Sequence, residues 1–85
     1  MYHLLFSKEA DKTLRKMPHV VAQRIRHKLD QLVQNPYAPN NNIKKLQDLP
    51  AYRLRVGDWR VIYEVNDTAV TVLVIRIAPR GEVYQ

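Results

Sequence analysis

The chain contains no cysteine, so a disulfide scaffold and a thiolate metal site are both excluded. With only two glycines, Gly57 and Gly81, it cannot build the glycine-rich loop that cradles a nucleotide phosphate. No apolar run approaches the roughly 20 residues needed to cross a bilayer, and Met1 to Phe6 is too short for a secretory signal core. A soluble, cytoplasmic protein is the expectation. Acidic residues are also scarce. Eight Asp and Glu face fourteen Lys and Arg, a net charge of +6 on 85 residues, and such an excess draws a surface toward polyanions, nucleic acid first.

Of the whole chain 46% is hydrophobic, which excludes a disordered basic tail, and the length allows one domain with one core. Tyr2 to Phe6 reads as a short strand. Ser7 is then a helix N-cap, with Glu9 in the first turn, where the helix dipole favours an anion. Ala10, Leu14 and Met17 recur at helical spacing until Pro18, which suits the first position of a second helix. That helix carries Val21, Ile25, Leu29 and Leu32 on one face, flanked by Arg24, Lys28 and Gln31. It stops before Asn35-Pro36. The two form a helical hairpin.

Pro36 to Pro50 has turn chemistry without a sustained period and reads as a long surface loop, tethered by Leu46 and Leu49. It carries Lys44 and Lys45, candidate RNA-binding residues, just before the sheet. Ala51 to Ile77 reads as a three-strand meander divided at Gly57-Asp58 and Asn66-Asp67-Thr68. Val70 to Ile77 is almost continuously apolar and belongs inside the sheet.

Gly57-Asp58 suits a two-residue type II′ turn, and that turn sets a register. Val56 then faces Trp59, Leu54 faces Val61 and Tyr52 faces Tyr63, all on one apolar face. On the other face Arg55 lies opposite Arg60, with Arg53 one step along. Like charges placed directly across strands are destabilising, so this pairing favours a phosphate platform over mere solvation of an exposed face. Arg76 falls beside Trp59 on the apolar face in the same register, where it would stack on the indole. In the tail, Arg80 with Tyr84 is a pairing that binds single-stranded RNA, the ring on a base and the cation on a phosphate. His3, His19 and His27 form no evident pair, and the carboxylates lack metal-ligand spacing, so no metal and no cofactor are expected.

Over essentially its whole length the sequence resembles the RelE branch of the RelE/ParE toxin superfamily. The likeness rests on the element order and on two motifs: Lys45-Leu46 leading to the run from Tyr52 to Glu64, and Arg80-Gly81-Glu82-Val83-Tyr84. It implies an α+β fold of order βααβββ, a helical hairpin on an antiparallel sheet, over residues 1–85. It implies a metal-independent endoribonuclease that cuts mRNA in the ribosomal A site, and a cognate antitoxin that masks the basic groove. Arg53 and Arg55 match basic residues that handle the scissile phosphate and the 2′-hydroxyl. Arg60 and Arg80 match catalytic arginines, and Tyr84 the aromatic that stacks on a base. Ala78-Pro79 stands where many members have Gly-His, and arginine is a poor general base. Glu82 and Glu64 are therefore the candidate proton acceptors, beside a purely electrostatic mechanism. The alternatives are a ParE-like inhibitor of DNA gyrase and a non-catalytic RNA-binding remnant.

Overall fold

The computed structural model describes residues 1–81. Strand β1 (His3–Phe6) leads into α1 (Lys8–Lys16), and Ser7 joins the two. Its Oγ accepts from the Ala10 N–H at 3.0 Å, while its hydroxyl donates to the Ile75 carbonyl at 2.6 Å. One side chain thus caps the helix and fastens its start to the sheet. Glu9 and Asp11 lie in the first turn and Arg15 and Lys16 in the last, each on the side the helix dipole favours. Met17 is extended because the ring of Pro18 excludes the helical region for the residue before it. Pro18 itself caps α2 (His19–Leu32), one position earlier than expected, and Ala22, Ile25, Leu29 and Leu32 are buried beneath that helix.

The remaining elements are β2 (Ile43–Lys45), β3 (Tyr52–Val56), β4 (Trp59–Asn66) and β5 (Thr71–Pro79), in one sheet of order β1-β5-β4-β3-β2. The expected α+β fold, helical hairpin and β3-β4-β5 meander are all present, and β5 lies inside the sheet. Two features differ from the expected antiparallel βααβββ order. β1 runs parallel to β5, so the sheet is mixed. No short turn joins β1 to a neighbour, and its direction comes instead from α1, which must start where Ser7 reaches β5. The loop also contains an extra strand, β2, antiparallel to β3. Three residues with one apolar side chain, Ile43, are too few to show a period, and lysines on an edge discourage further pairing. Of the two proposed tethers, Leu46 packs beside Ala51 and Ile62, whereas Leu49 is exposed.

Arg76 also departs from expectation. It pairs with Ile62, and its Nε lies 3.7 Å from Glu9, while Pro79 is the residue opposite Trp59. The cause is a bulge beside Ile62/Tyr63: Val72 and Val74 face the core, and the extra residue hands the next core position to Ile77 rather than to residue 76. An unbulged strand would have driven a guanidinium into the core.

Tyr63 lies at the centre of the core, fully buried and stacked on Tyr52 with ring centroids 5.5 Å apart. Its hydroxyl has no hydrogen-bond partner among the described residues, and burial pushes its pKa up. A buried hydroxyl without a partner costs about 1–3 kcal/mol. Tyr63→Phe is therefore expected to raise stability by about 1 kcal/mol, read as a higher urea midpoint with unchanged slope.

Far from the arginines, one carboxylate clasps three segments. Asp67, in the β4–β5 turn, accepts from the Tyr2 hydroxyl at 2.7 Å and from the Tyr37 hydroxyl at 2.8 and 3.0 Å. Hydrogen bonding to Asp67, followed by burial, raises the Tyr37 pKa from 10.0 to about 12. Because the folded value exceeds the unfolded one, the clasp contributes fully below pH 10.0 and is lost as pH rises through about 12. Asp67→Asn should return the Tyr37 titration, followed by its ring resonances, toward 10.0. An unshifted titration would mean that the bond is absent in solution.

Candidate functional site

Gly57 has φ +57°, and Asp58 is not at positive φ, the pattern a type II′ turn requires. The β3–β4 register follows from it: Val56 pairs with Trp59, Arg55 with Arg60, Leu54 with Val61, Arg53 with Ile62 and Tyr52 with Tyr63. Tyr52, Leu54, Val56, Val61 and Tyr63 pack in or against the core under the helices, which leaves Arg53, Arg55 and Arg60 on the opposite face.

Arg55 and Arg60 are held by side-chain bonds within the hairpin and to the loop beside it. Arg60 donates from Nη1 to the carbonyls of Gly57 at 3.0 Å and Trp59 at 2.9 Å, which folds its guanidinium over the turn. Arg55 donates from Nε and Nη2 to Asn42 Oδ1 at 3.2 and 2.9 Å, and its backbone N–H donates to the Asn42 carbonyl at 2.8 Å. The Arg80 N–H donates to the Asp58 carbonyl at 2.7 Å, fixing the chain as it leaves β5 beside the same turn. Burial, then the charges of Arg53, Arg55 and Arg80, lower the Arg60 pKa, with Asp58 opposing them. A guanidinium stays protonated at neutral pH through such a shift. The cations therefore repel one another in the free protein, and a bound polyanion relieves that repulsion.

Arg55, Arg60 and Arg80 share an open cleft of about 450 Å³ with Gly57, Asp58 and Asn42. Arg24 and Lys28 of α2 form its other wall. The sequence marked these two only as flanks of the Ile25/Leu29 stripe. Their spacing of four places them together on a helix, but nothing in it shows that the hairpin turn lies opposite. An ideal Cβ added at Gly57 would lie 3.5 Å from Arg24 Nη1, so the turn and α2 are in near contact.

Arg53 lines a neighbouring hollow of about 360 Å³ with Lys44, Lys45 and the segment that follows. Lys44 pairs with Arg53 and shares its face, while Lys45 pairs with Tyr52 and points to the other side of this edge strand. Glu64 is not brought into the cleft. It lies four residues from Arg60, roughly 13 Å along the strand, and lines a separate hollow with Pro50, Thr71 and Leu73. Asp58 is the carboxylate that lines the arginine cleft among the described residues. Glu82 and Tyr84 lie outside the described residues.

The sheet face of cations can be placed among known proteins. The family model of the ParE toxin of type II toxin-antitoxin systems, parDE, matches residues 4–84. The chain belongs to the RelE/ParE toxin family. Within that family, the mRNA interferase toxin RelE of Escherichia coli is 32% identical over 85 residues, 98% of this chain and 90% of that protein. The RelE/ParE fold is seen in the crystal structure of the intact E. coli RelBE toxin-antitoxin complex. It matches with a TM-score of 0.82 at 29% identity, covering 96% of this chain and 99% of that one. The archaeal RelE-RelB complex from Pyrococcus horikoshii matches with the same TM-score of 0.82 and 29% identity, over 96% and 98% of the two chains. Those structures share two helices on a mixed five-strand sheet with this RelE/ParE toxin.

Proposed function

We propose that the protein is the toxin of a type II toxin-antitoxin pair and that it cleaves mRNA in the ribosomal A site without a metal ion. The observation that carries this reading is the convergence of Arg55, Arg60 and Arg80 on one cleft, with the α2 cations opposite. Relatives named mRNA interferase, at 32% identity over nearly the full length, support the same chemistry.

In the proposed reaction the ribose 2′-oxygen attacks the adjacent phosphorus, and the bond from phosphorus to the 5′-oxygen breaks. The products are a 2′,3′-cyclic phosphate and a 5′-hydroxyl. The 2′-proton leaves to an acceptor, and the departing oxygen takes one up. Charge grows on the phosphorane oxygens, so guanidinium forks fixed before the substrate arrives stabilise the transition state more than the ground state. Arg60, tied to the Gly57 and Trp59 carbonyls, is one such fork. Arg53 and Arg55 hold the phosphate and orient the 2′-hydroxyl, Arg80 adds a further cation, and Tyr84 stacks on a base. Lys44 and Lys45 bind the RNA beyond the reacting nucleotide. Of the two carboxylates proposed as proton acceptor, Glu82 stands two residues after Arg80 in the sequence, which favours it over Glu64 at the far end of β4.

The partners in this reading are the ribosome, which presents the mRNA, and an antitoxin that covers the cations until released, both in the cytoplasm. Relatives solved as RelE-RelB complexes support the antitoxin. The matching family model bears the name ParE, which favours a second reading, inhibition of DNA gyrase by binding alone. Mapping mRNA 5′ ends in a translating extract separates the two. The cleavage reading requires cuts within A-site codons when the protein is added. Absence of such cuts, or equal cutting of naked RNA, overturns it.

A further inference from the structure

Past the arginine cleft, α2 and the β2–β3 edge enclose another hollow of about 210 Å³, and Lys28 lines both spaces. Leu32, Ile43 and Leu54 give this hollow an apolar floor, and Gln31, Asn35 and Asn40 give it an amide rim. Two of the amides are already oriented by their own loop. Asn35 Oδ1 accepts from the Tyr37 N–H at 3.2 Å, and Asn40 Oδ1 accepts from the Asn42 N–H at 2.8 Å. With one lone pair of each oxygen already engaged by backbone, the NH2 group with its two donors is the larger share of what either asparagine offers a ligand. Lys28 adds donors and no acceptor.

An apolar floor under a donor-rich rim suits a flat heteroaromatic ring with acceptors on its edge. Among nucleobases those are the keto bases: guanine presents O6 and N7, and the pyrimidine O4 position is likewise an acceptor. Adenine and cytosine place an amino donor at the corresponding site, where it would meet another donor. The position of Lys28 between the two spaces suits the phosphate joining a nucleotide in the cleft to its neighbour.

We propose that this hollow is a nucleobase subsite: Arg24 and Lys28 hold the linking phosphate, and the Asn35 and Asn40 amides select guanine or uracil. The subsite rests on the RNA-cleavage reading of the cleft and adds a base preference to it.

The test uses isotope-labelled whole protein titrated with the 5′-monophosphates of uridine, guanosine, cytidine and adenosine, observing the asparagine side-chain NH2 resonances. The keto nucleotides should shift the Asn35 and Asn40 signals and bind roughly fivefold tighter than the amino nucleotides, the lower end of what one well-aligned base-edge pair discriminates. Asn40→Asp keeps the bond to the Asn42 N–H but turns the remaining donor into an acceptor. It should move the ratio of uridine to cytidine nucleotide affinities toward cytidine, and the ratio cancels the added charge, which both ligands feel alike. Equal affinities for all four nucleotides, shifts confined to the arginine side of the cleft, or an unchanged ratio in Asn40→Asp would each overturn the subsite. Because binding is read without cleavage, the two ideas fail separately. A protein that sorts nucleotides but leaves mRNA intact supports the subsite and overturns the cleavage reading, whereas one that cuts mRNA without sorting nucleotides overturns the subsite alone.

Discussion

Arg60→Ala is expected to slow A-site mRNA cleavage by about 10²–10³-fold, the usual loss when one preorganised donor to a developing oxyanion is removed. Two features single out this arginine. Its guanidinium is anchored at 3.0 and 2.9 Å to the turn that also sets the hairpin register, so it needs little reorganisation when charge develops. It also stands across the ladder from Arg55 and within the fields of Arg53 and Arg80. For that second reason the loss of activity should come without loss of fold. Removing one member of a like-charge pair relieves repulsion, so the melting temperature of Arg60→Ala should hold or rise. Arg60→Lys, which keeps a charge but loses the planar fork, should recover only part of the rate. Single-turnover cleavage on programmed ribosomes, run beside thermal melts, measures both. Full activity in Arg60→Ala would remove this residue from the transition state. If the protein instead acts on gyrase by binding alone, the variant should keep its toxicity while the mRNA stays intact.

The hairpin was legible because its two constraints are local. Gly57 supplies positive φ at one defined place, and strict alternation on both sides of it leaves one register that keeps Tyr52, Leu54 and Val56 on the core side. Ser7 and the Ile25/Leu29 stripe were legible for the same reason, since caps and helical periods depend on near neighbours. What escaped depends on contacts distant in sequence. The parallel direction of β1 follows from where α1 has to land, and β2 exists only because β3 offers an edge. The bulge that moves Arg76 away from Trp59 answers to core packing against β4. In the site, three of the arginines could be read from the ladder, and Arg80 from a motif. The opposite wall of Arg24 and Lys28 needed the docking of α2 across the turn, which no spacing within the helix records.

That docking leads to the largest expected effect on stability. Leu29 is fully buried on α2, one turn from Ile25, and Arg24 and Lys28 each immediately precede one of these two residues. Truncation to alanine removes the transfer energy of the lost methyl groups and leaves a cavity beneath the helix. For a site this enclosed the cost is about 3 kcal/mol. A domain of 85 residues has roughly 4–13 kcal/mol in total, so the loss is a large share of it. At about 4–8 °C per kcal/mol for a domain of this size, the melting temperature of Leu29→Ala should fall by about 12–24 °C. Tyr63→Phe, in the same core, should move it the other way, which guards against reading the fall as a general intolerance of core changes. The consequence for the site is directional. The β3–β4 hairpin keeps Arg55 and Arg60 through its own ladder, whereas Arg24 and Lys28 are placed by the buried face of α2. A folded Leu29→Ala protein held well below its melting temperature should therefore retain the sheet arginines' contribution to cleavage and bind RNA more weakly. The weaker binding should appear in a shallower dependence of affinity on salt, since each phosphate contact of a single strand contributes about 0.7 to that slope. If the salt slope of the variant equals that of the wild type, the α2 wall is not a phosphate contact.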